Sequence, residues 1–519
     1  MKKKLFLGGF ILSFLALGFA KAQNIQFEDA NFKKELLLAS TDNKIAKDAN
    51  GKAVAIDANG DGEISKTEAL KIYQLDFGWE KGIVSIKGIE YFTNLTNLRC
   101  GGLFKLKSLD LSKNINLQTL ILITIGIETL DLSKNINLWR LSLEQTEIKT
   151  LDLSKNISLQ TLDLWNNTGI ETLDLSKNIN LQKLYIDNTK IETLDVSKNI
   201  NLQTLDLWNN TGLKTLDLSK NINLQALNLW YNIEIQTIDL SKNINLQGLN
   251  LIKNSELKTL DLSKNIDLQR LWLSDTNIET IDVSKNINLQ WLQLSDTKIK
   301  TIDVSKNINI QRLWLGGTEI ETIDVSKNIN LQYLDLTRTR IKTLDVSKNF
   351  NLQGLDLSST GIQTLDISKN INLQQLSLGD TGIQTLDVSK NVSLQKLNLR
   401  STGIETLDVS RNRKLVALDL INSNKLTSLY MKNGIKKNFV WLGGYDFYST
   451  NLNYICCDED EIDVVKKYMQ NLAEKNLLAD GWQMSNLTVT SDCGTESTKE
   501  IFPQGKTASY PNPLKIKNK

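Results

Sequence analysis

The sequence contains no histidine and few prolines or cysteines. Of its 519 residues none is His, three are Pro and four are Cys. Without histidine the chain cannot build His-dependent catalytic triads or the commonest zinc sites. All three prolines lie in the last 17 residues, at Pro503, Pro511 and Pro513, which predicts an extended tail there.

An excess of charge of either sign is also missing. Without the first 22 residues, 57 basic side chains stand against 59 acidic ones. Nucleic-acid binding needs a clustered basic surface, so this balance argues against a nucleic acid as partner. There is no Gly-rich phosphate loop, and the many equivalent aspartates single out no acid and base for glycoside hydrolysis. We therefore expect a protein that is not an enzyme.

Long apolar runs are absent except at the amino terminus. Three lysines at 2–4 precede LFLGGFILSFLALGFA, and the segment ends with AKA, which has small residues at Ala20 and Ala22. This order is typical of a secretory signal, and we expect residues 1–22 to be removed. No later stretch reaches the 18 or more apolar residues that a membrane span needs. The expected location is secreted or at the cell surface.

What the sequence has in abundance is the hexapeptide LDLSKN, first seen at residues 109–114. It returns every 21 or 22 residues until Asp408 opens the variant DVSRN. Its aspartate falls at Asp110, Asp131, Asp152, Asp174, Asp195, Asp217, Asp239, Asp261, Asp282, Asp303, Asp324, Asp345, Asp366, Asp387 and Asp408. Such a period indicates a solenoid, in which each turn buries its apolar face only against its neighbours.

Each period contains the pattern L-x-x-L-x-L-x-x-N twice, for example from Leu159 to Asn167 and from Ile170 to Asn178. We call the first the variable half and the second, which holds the hexapeptide, the constant half. The alternation predicts two short strands per turn, with the fourth and sixth places buried and the third, fifth and seventh facing outward. Asn or Thr at the ninth place is expected to turn inward and bond backbone groups at the bend.

These turns resemble leucine-rich repeats of the 21-residue nested type found in internalin-like and other secreted bacterial surface proteins. The resemblance covers roughly residues 93–430. It places Cys100 at the sixth, inward place, where members of this type often carry a cysteine, whereas the other turns have Leu or Ile. The resemblance implies an all-β-dominated, right-handed leucine-rich-repeat solenoid with small helical caps, which binds a partner through one strand face.

The variable half contains a row of aromatic residues at its outward places. They are Trp165, Tyr185, Trp208, Trp230, Trp272, Trp291, Trp314 and Tyr333. Contiguous exposed aromatic surface is uncommon unless it binds something. Such rings suit a protein hot spot or the apolar face of a sugar, or they only stack and stiffen the sheet. We expect an adhesin or host-interaction protein with a protein partner; a glycan-binding module and a structural surface-layer protein are the alternatives.

In the constant half the outward places read Thr, Asp and Ser, as in Thr150, Asp152 and Ser154. Strands stack about 4.8 Å apart, so a column of Asp would repel itself unless hydroxyls and the Lys column compensate. We expect a hydrogen-bonded, charge-balanced scaffold here. A surface that meets a mineral, ice or a neighbouring molecule is the alternative.

Before the repeats lies DANGDGEISKTE, residues 57–68. Its oxygen-bearing residues occupy places one, three, five, seven, nine and twelve of a calcium loop, the seventh through its backbone carbonyl: Asp57, Asn59, Asp61, Glu63, Ser65 and Glu68. Helical segments flank it, so the loop resembles a single EF-hand or dockerin-like element. We expect a structural calcium ion that braces the amino-terminal cap.

The carboxy-terminal part reads as a second cap. Ile462, Val465, Met469 and Leu472 share one face of a predicted helix. In an oxidising compartment we expect one disulfide from Cys493 to either Cys456 or Cys457. The tail YPNPLKIKNK resembles the start of a type IX sorting domain. The expected divisions are signal 1–22, amino-terminal cap 23–92, repeats 93–430, carboxy-terminal cap 431–494 and flexible tail 495–519.

Overall fold

The computed structural model describes residues 23–79, 82–435 and 445–494. The expected signal segment and the tail with its sorting motif lie outside the described residues. The chain forms two compact units, one ending at Gly169 and one beginning at Ile170. The two units are described in turn.

The first unit begins with short helices and continues into a parallel sheet. Its α-helices are Ala30–Leu37 and Lys66–Ala69, with a 3-10 turn at Ile89–Tyr91; its strands are Ala46–Lys47, Gln74–Gly78, Asn97–Gly101, Thr119–Ile123, Arg140–Glu144 and Thr161–Asp163. Asp29 starts the first helix by accepting the N–H of Asn31, and Ser65 and Glu68 form a capping box on the second. The helices therefore begin where polar caps satisfy their first amides.

In the second unit the variable halves form one strand per turn. These strands are Lys183–Tyr185, Thr204–Asp206, Ala226–Asn228, Gly248–Asn250, Arg270–Trp272, Trp291–Gln293, Arg312–Trp314, Tyr333–Asp335, Gly354–Asp356, Gln375–Ser377, Lys396–Asn398, Ala417–Asp419 and Tyr445–Asp446. Neighbours pair in parallel with the fourth-place leucines in register, as Leu271 with Leu292. Those leucines are buried, so the core consists of columns of equivalent side chains, each completed by the next turn.

Within the described residues, the prediction of two strands per turn holds only near the carboxy terminus. There a second parallel sheet contains Thr406–Asp408, Ser428–Tyr430, Tyr454–Cys456 and Thr488–Thr490. Earlier constant halves of the second unit make isolated inter-turn backbone bonds, such as the Glu319 N–H to the Ile299 C=O at 3.1 Å. The Asp side chain accepts the amide of the Ser two residues later both in these halves and at Asp408, whose half does form a strand, so this bond does not decide whether a strand forms. In these halves fourth-place Ile302 is half-buried, whereas sixth-place Val304 is buried.

The ninth-place prediction is confirmed. In the constant half Asn307 is fully buried, and its Nδ2 donates to the carbonyls of Val283 and Asn286, both at 2.9 Å. In the variable half Thr replaces Asn from Thr276 to Thr402, and the Thr276 hydroxyl donates to the Leu273 carbonyl at 2.8 Å. These side chains satisfy carbonyls at bends that no ladder covers.

At the carboxy-terminal end, helix Ile462–Glu474 buries Val465, Met469 and Leu472, as its spacing predicts. Cys456 and Cys493 form a disulfide with a Cα–Cα distance of 5.5 Å, which decides the pairing that the sequence left open. Cys457 is buried beside it. Within the described ranges, none of the helices has both the length and the apolar character to cross a bilayer.

Candidate recognition face

The outward places of the variable strands in the second unit form what we call the variable face. Each strand covers places three to five, and the chain bends at the eighth place, which adopts a positive φ, as at Asn209 (58°), Tyr231 (62°) and Lys253 (60°). Asn tolerates this left-handed conformation, but a bulky residue such as Tyr is strained in it. The variable face therefore consists of the third and fifth places in the strand and the seventh place just after it, and the eighth residue lies at the edge of the face.

Two aromatic groups stand on this face. The first is a stacked pair, Trp208 and Trp230, with ring centroids 5.3 Å apart and planes inclined by 23°. Trp230 is 37% exposed and its neighbour Tyr231 is 40% exposed. The Lys253 ammonium lies 5.7 Å from the Tyr231 ring centroid. Sequence analysis missed Tyr231 because the eighth place was not counted among the outward places.

The second group, which we call the aromatic–arginine cluster, contains Arg270, Trp272, Trp291, Arg312, Trp314 and Tyr333. At the third place of four successive strands, Arg and aromatic residues alternate in register. The Arg312 guanidinium lies 5.0 Å from the Trp291 ring centroid and 4.9 Å from that of Tyr333. Arg270 lies 5.4 Å from Trp291 on its other side. This alternation holds Arg312 between two flat rings and Arg270 against one.

Gly354 ends the third-place column of the cluster. A Cβ at this residue would lie 2.5 Å from Cδ1 of Tyr333, so the Tyr333 ring lies directly over the glycine backbone. The missing side chain thus lets the ring lie flat against the sheet. No pattern in the sequence alone marks this glycine, since its function depends on the strand beside it.

The positive charges of Arg270 and Arg312 are not neutralised by other side chains of the cluster. Among the residues that the structure describes, no carboxylate forms an ion pair with Arg270 or Arg312. By contrast, Arg338, in the same turn as Tyr333, lies 3.0 Å from an oxygen of Asp296 two turns earlier. The N–H groups at the edges of these two guanidiniums can therefore donate hydrogen bonds to a carboxylate of another molecule.

The remaining aromatic residues stand apart from these two groups. Trp165 belongs to the first unit and is half-buried, with its amide donating to Asp163 at 3.1 Å. Tyr185 is half-buried at a fifth place in the second unit. The turn with Asn250 and Ile252 separates the stacked pair from the cluster, so the predicted row is two patches in the second unit. In the first unit, Trp139 is a further exposed ring that the outward-place rule missed.

The constant half forms the hydrogen-bonded scaffold that the sequence predicts. Asp282 and Asp303 each accept the N–H of the serine two residues later at 2.8 Å. These amide hydrogen bonds, followed by those from the Ser hydroxyls and by the adjacent lysines, lower the pKa of both carboxyls. The aspartates are therefore ionised and are occupied by their own turns.

The expected calcium loop in the first unit is folded but compact. Asp57 accepts the amides of Gly60 and Gly62 at 2.8 and 2.9 Å, and Glu68 accepts those of Ala58 and Ser65. The side chains of the loop offer oxygen atoms, which calcium prefers as ligands. Across the described ranges, however, no three acidic, His or Cys side chains converge on one position. The calcium site stays a prediction.

Comparison with known proteins agrees with this geometry. No family model matches the sequence, and the comparison with curated proteins finds no match. Among solved structures, the functional domain of InlJ from Listeria monocytogenes is 27% identical with a TM-score of 0.60, covering 78% of this chain and 83% of that one. The fold is a leucine-rich-repeat solenoid. A leucine-rich-repeat protein from Leptospira interrogans has the same fold at 19% identity and TM-score 0.54, covering 82% of this chain and 97% of its own.

The core of this chain differs from that of InlJ in one respect. That structure is described as including a cysteine ladder. In this leucine-rich-repeat chain Cys100 is buried and in register with Leu122 of the next strand. Burial raises the pKa of the Cys100 thiol to about 12. The sixth-place column is thus built from aliphatic side chains, with one unreactive thiol at its start.

Proposed function

We propose that this protein is a recognition protein that binds a protein partner through the variable face of its second unit. The observation that carries the proposal is the aromatic–arginine cluster, in which Arg312 lies between the rings of Trp291 and Tyr333. Tryptophan, tyrosine and arginine are the residues most enriched at the energetic centres of protein interfaces. The columns beneath them are fixed by the repeat, so the face is rigid before it binds.

The unpaired guanidiniums favour a partner segment that carries carboxylates beside an apolar or aromatic side chain. A carboxylate can bind the edges of Arg270 and Arg312 while the rings cover the apolar group. Because surface charges are screened by salt, we expect binding to weaken as ionic strength rises. Binding driven by ring stacking on a sugar would not show this dependence.

Selection from a displayed random-peptide library against the whole protein, run beside a glycan array, tests the proposal. We expect enriched peptides that contain Asp or Glu next to aromatic residues, and no enrichment on the glycan array. Replacing Trp272, Trp291 and Trp314 with Ala should weaken binding of the selected peptides at least about 100-fold, because each is placed as a hot spot. Isothermal titration calorimetry gives the affinities.

A matched control lies on the other half of the same turns. Asp282→Asn, Asp303→Asn and Asp324→Asn keep an oxygen that can accept the Ser amide, so the scaffold should stay folded by circular dichroism. The proposal requires this variant to bind and the tryptophan variant to fail. Loss of binding in the control alone would make the constant half the working surface, and glycan-array signals without peptides would favour a sugar ligand.

We further propose that the protein acts outside the cytoplasm, as a secreted or surface adhesin. The Cys456–Cys493 disulfide supports this, since disulfides persist in oxidising compartments. Mass spectrometry of the exported protein should find a chain that begins at Gln23; a cytoplasmic chain that keeps residues 1–22 would contradict the proposal.

A further inference from the structure

Eleven successive constant halves of the second unit carry an exposed apolar side chain at the same turn, and the next one has Arg413 there. The residues are Ile179, Ile200, Ile222, Ile244, Ile266, Ile287, Ile308, Ile329, Phe350, Ile371 and Val392, which we call the isoleucine row. Each of them is between 50% and 55% exposed. The row lies outside the variable face and has no part in the function proposed above.

The turn itself does not require isoleucine. Ile308 is the second residue of a turn closed by the Ile310 N–H and the Asn307 C=O at 3.1 Å. This place suits Pro and small polar residues, whereas an isoleucine here leaves about half of its largely apolar surface in water. A residue that breaks a local rule on successive turns and leaves so much apolar surface in water indicates a function.

The row is too large to be incidental. Eleven half-exposed side chains in one line present on the order of 1,000 Å² of largely apolar surface, above the few hundred Å² usual for monomers and close to the roughly 800 Å² that each partner contributes to a standard interface. A partner must match a line of knobs that repeats once per turn. A second copy of this chain has that spacing by construction.

We propose that two copies of this protein associate through their isoleucine rows, side by side and parallel. The residues on either side of the row decide whether the two copies run parallel or antiparallel. Lys306 lies two residues before Ile308 and Asn309 lies one residue after it, and all three are exposed. A two-fold axis along the row exchanges its flanks, so lysines of one copy face asparagines of the other. An axis across the row would place lysines against lysines, and like charges repel.

The asparagines are prepared for this contact. Asn309 uses its Nδ2 to hold the Ile287 carbonyl of the preceding turn at 3.2 Å, and Asn330 holds that of Ile308 at 3.2 Å. The fold therefore sets the orientation of each Asn side-chain amide. Its Oδ1 can accept a hydrogen bond from a lysine ammonium of the other copy. The association thus combines apolar contact along the row with hydrogen bonds on both sides.

Sedimentation equilibrium of the mature protein tests the proposal. We expect a mass twice that of one chain at micromolar concentration. Ile287→Asp, Ile308→Asp and Ile329→Asp should raise the dissociation constant at least about 100-fold, because they place charges at the centre of the interface. The matched control, Thr280→Asp, Thr301→Asp and Thr322→Asp, adds the same charge to exposed places on the same turns and should stay dimeric. A monomeric wild type, or a dimer that survives the isoleucine changes, overturns the proposal.

Cysteine cross-linking keeps the proposal testable if the aspartate variant is unfolded. In a parallel pair each row residue lies near its own counterpart, so Ile200→Cys, Ile308→Cys and Ile371→Cys should each form a disulfide-linked dimer under mild oxidation. Thr301→Cys on the other surface should not. An antiparallel pair would cross-link only the variant nearest its axis, and no cross-linking at any row residue would reject the interface.

Discussion

Replacing Asn286 with alanine removes two hydrogen bonds from the interior of the second unit. Asn286 is fully buried, and its Nδ2 donates to the carbonyls of Leu262 at 3.1 Å and Asn265 at 2.8 Å. Both carbonyls keep one backbone partner, the amides of Asn265 and Leu268 respectively. The change therefore removes two side-chain bonds without orphaning either carbonyl, and it leaves a small void.

The expected loss in the free energy of unfolding follows from the number of hydrogen bonds removed. Two hydrogen bonds at about 0.5–1.5 kcal/mol each predict a loss of about 1–3 kcal/mol in the free energy of unfolding. The Asn286 Oδ1 is buried with no hydrogen-bond partner among the described residues. Removing that oxygen recovers part of its desolvation cost, which offsets some of the loss. Asn286→Asp keeps the shape but loses the donors, so we expect it to destabilise the unit at least as much as alanine does.

Asn288 supplies the control two residues later. It is exposed and donates to the Ile266 carbonyl at a longer distance of 3.4 Å. We expect Asn288→Ala to change stability by no more than about 0.5 kcal/mol. Urea unfolding followed by tryptophan fluorescence reports on these turns, since Trp272 and Trp291 lie on the adjoining strands. If Asn286→Ala costs no more than Asn288→Ala, the buried asparagine column does not hold the turns together and the reasoning is wrong.

Two further predictions concern the ends of the chain. Calcium at a hundredfold excess over its dissociation constant should stabilise the first unit by about 2.7 kcal/mol, and Glu68→Gln should abolish this stabilisation. Calorimetry with and without a chelator measures the effect. An unchanged melting profile, together with no bound calcium by metal analysis, would contradict the prediction. Cys493→Ser opens a loop of 37 residues and should destabilise the carboxy-terminal cap by about 4 kcal/mol. Hydrogen exchange in helix Ile462–Glu474 measures this, and undiminished protection there would show that the disulfide is dispensable.

The repeat by itself determined the architecture of this protein. A period of 21 or 22 residues with Leu at fixed places admits only a stack of similar turns, because one turn cannot bury its own apolar side. The same reasoning predicted the inward Asn and Thr at the ninth place and the cap helix that buries Val465, Met469 and Leu472. These features depend on local sequence and its periodicity, which a reader of the sequence can count.

Only the tertiary structure decided which side chains meet. Whether a constant half forms a second strand depends on hydrogen bonds to the neighbouring turn, and most turns of the second unit lack that ladder. The aromatic residues divide into a stacked pair and the aromatic–arginine cluster because residues about 21 positions apart become neighbours in register. Tyr333 lies over Gly354, and Arg312 lies between rings on two other strands. The half-exposed isoleucines also lie in one row only after stacking, because residues distant in sequence become adjacent when each turn adds the same rise.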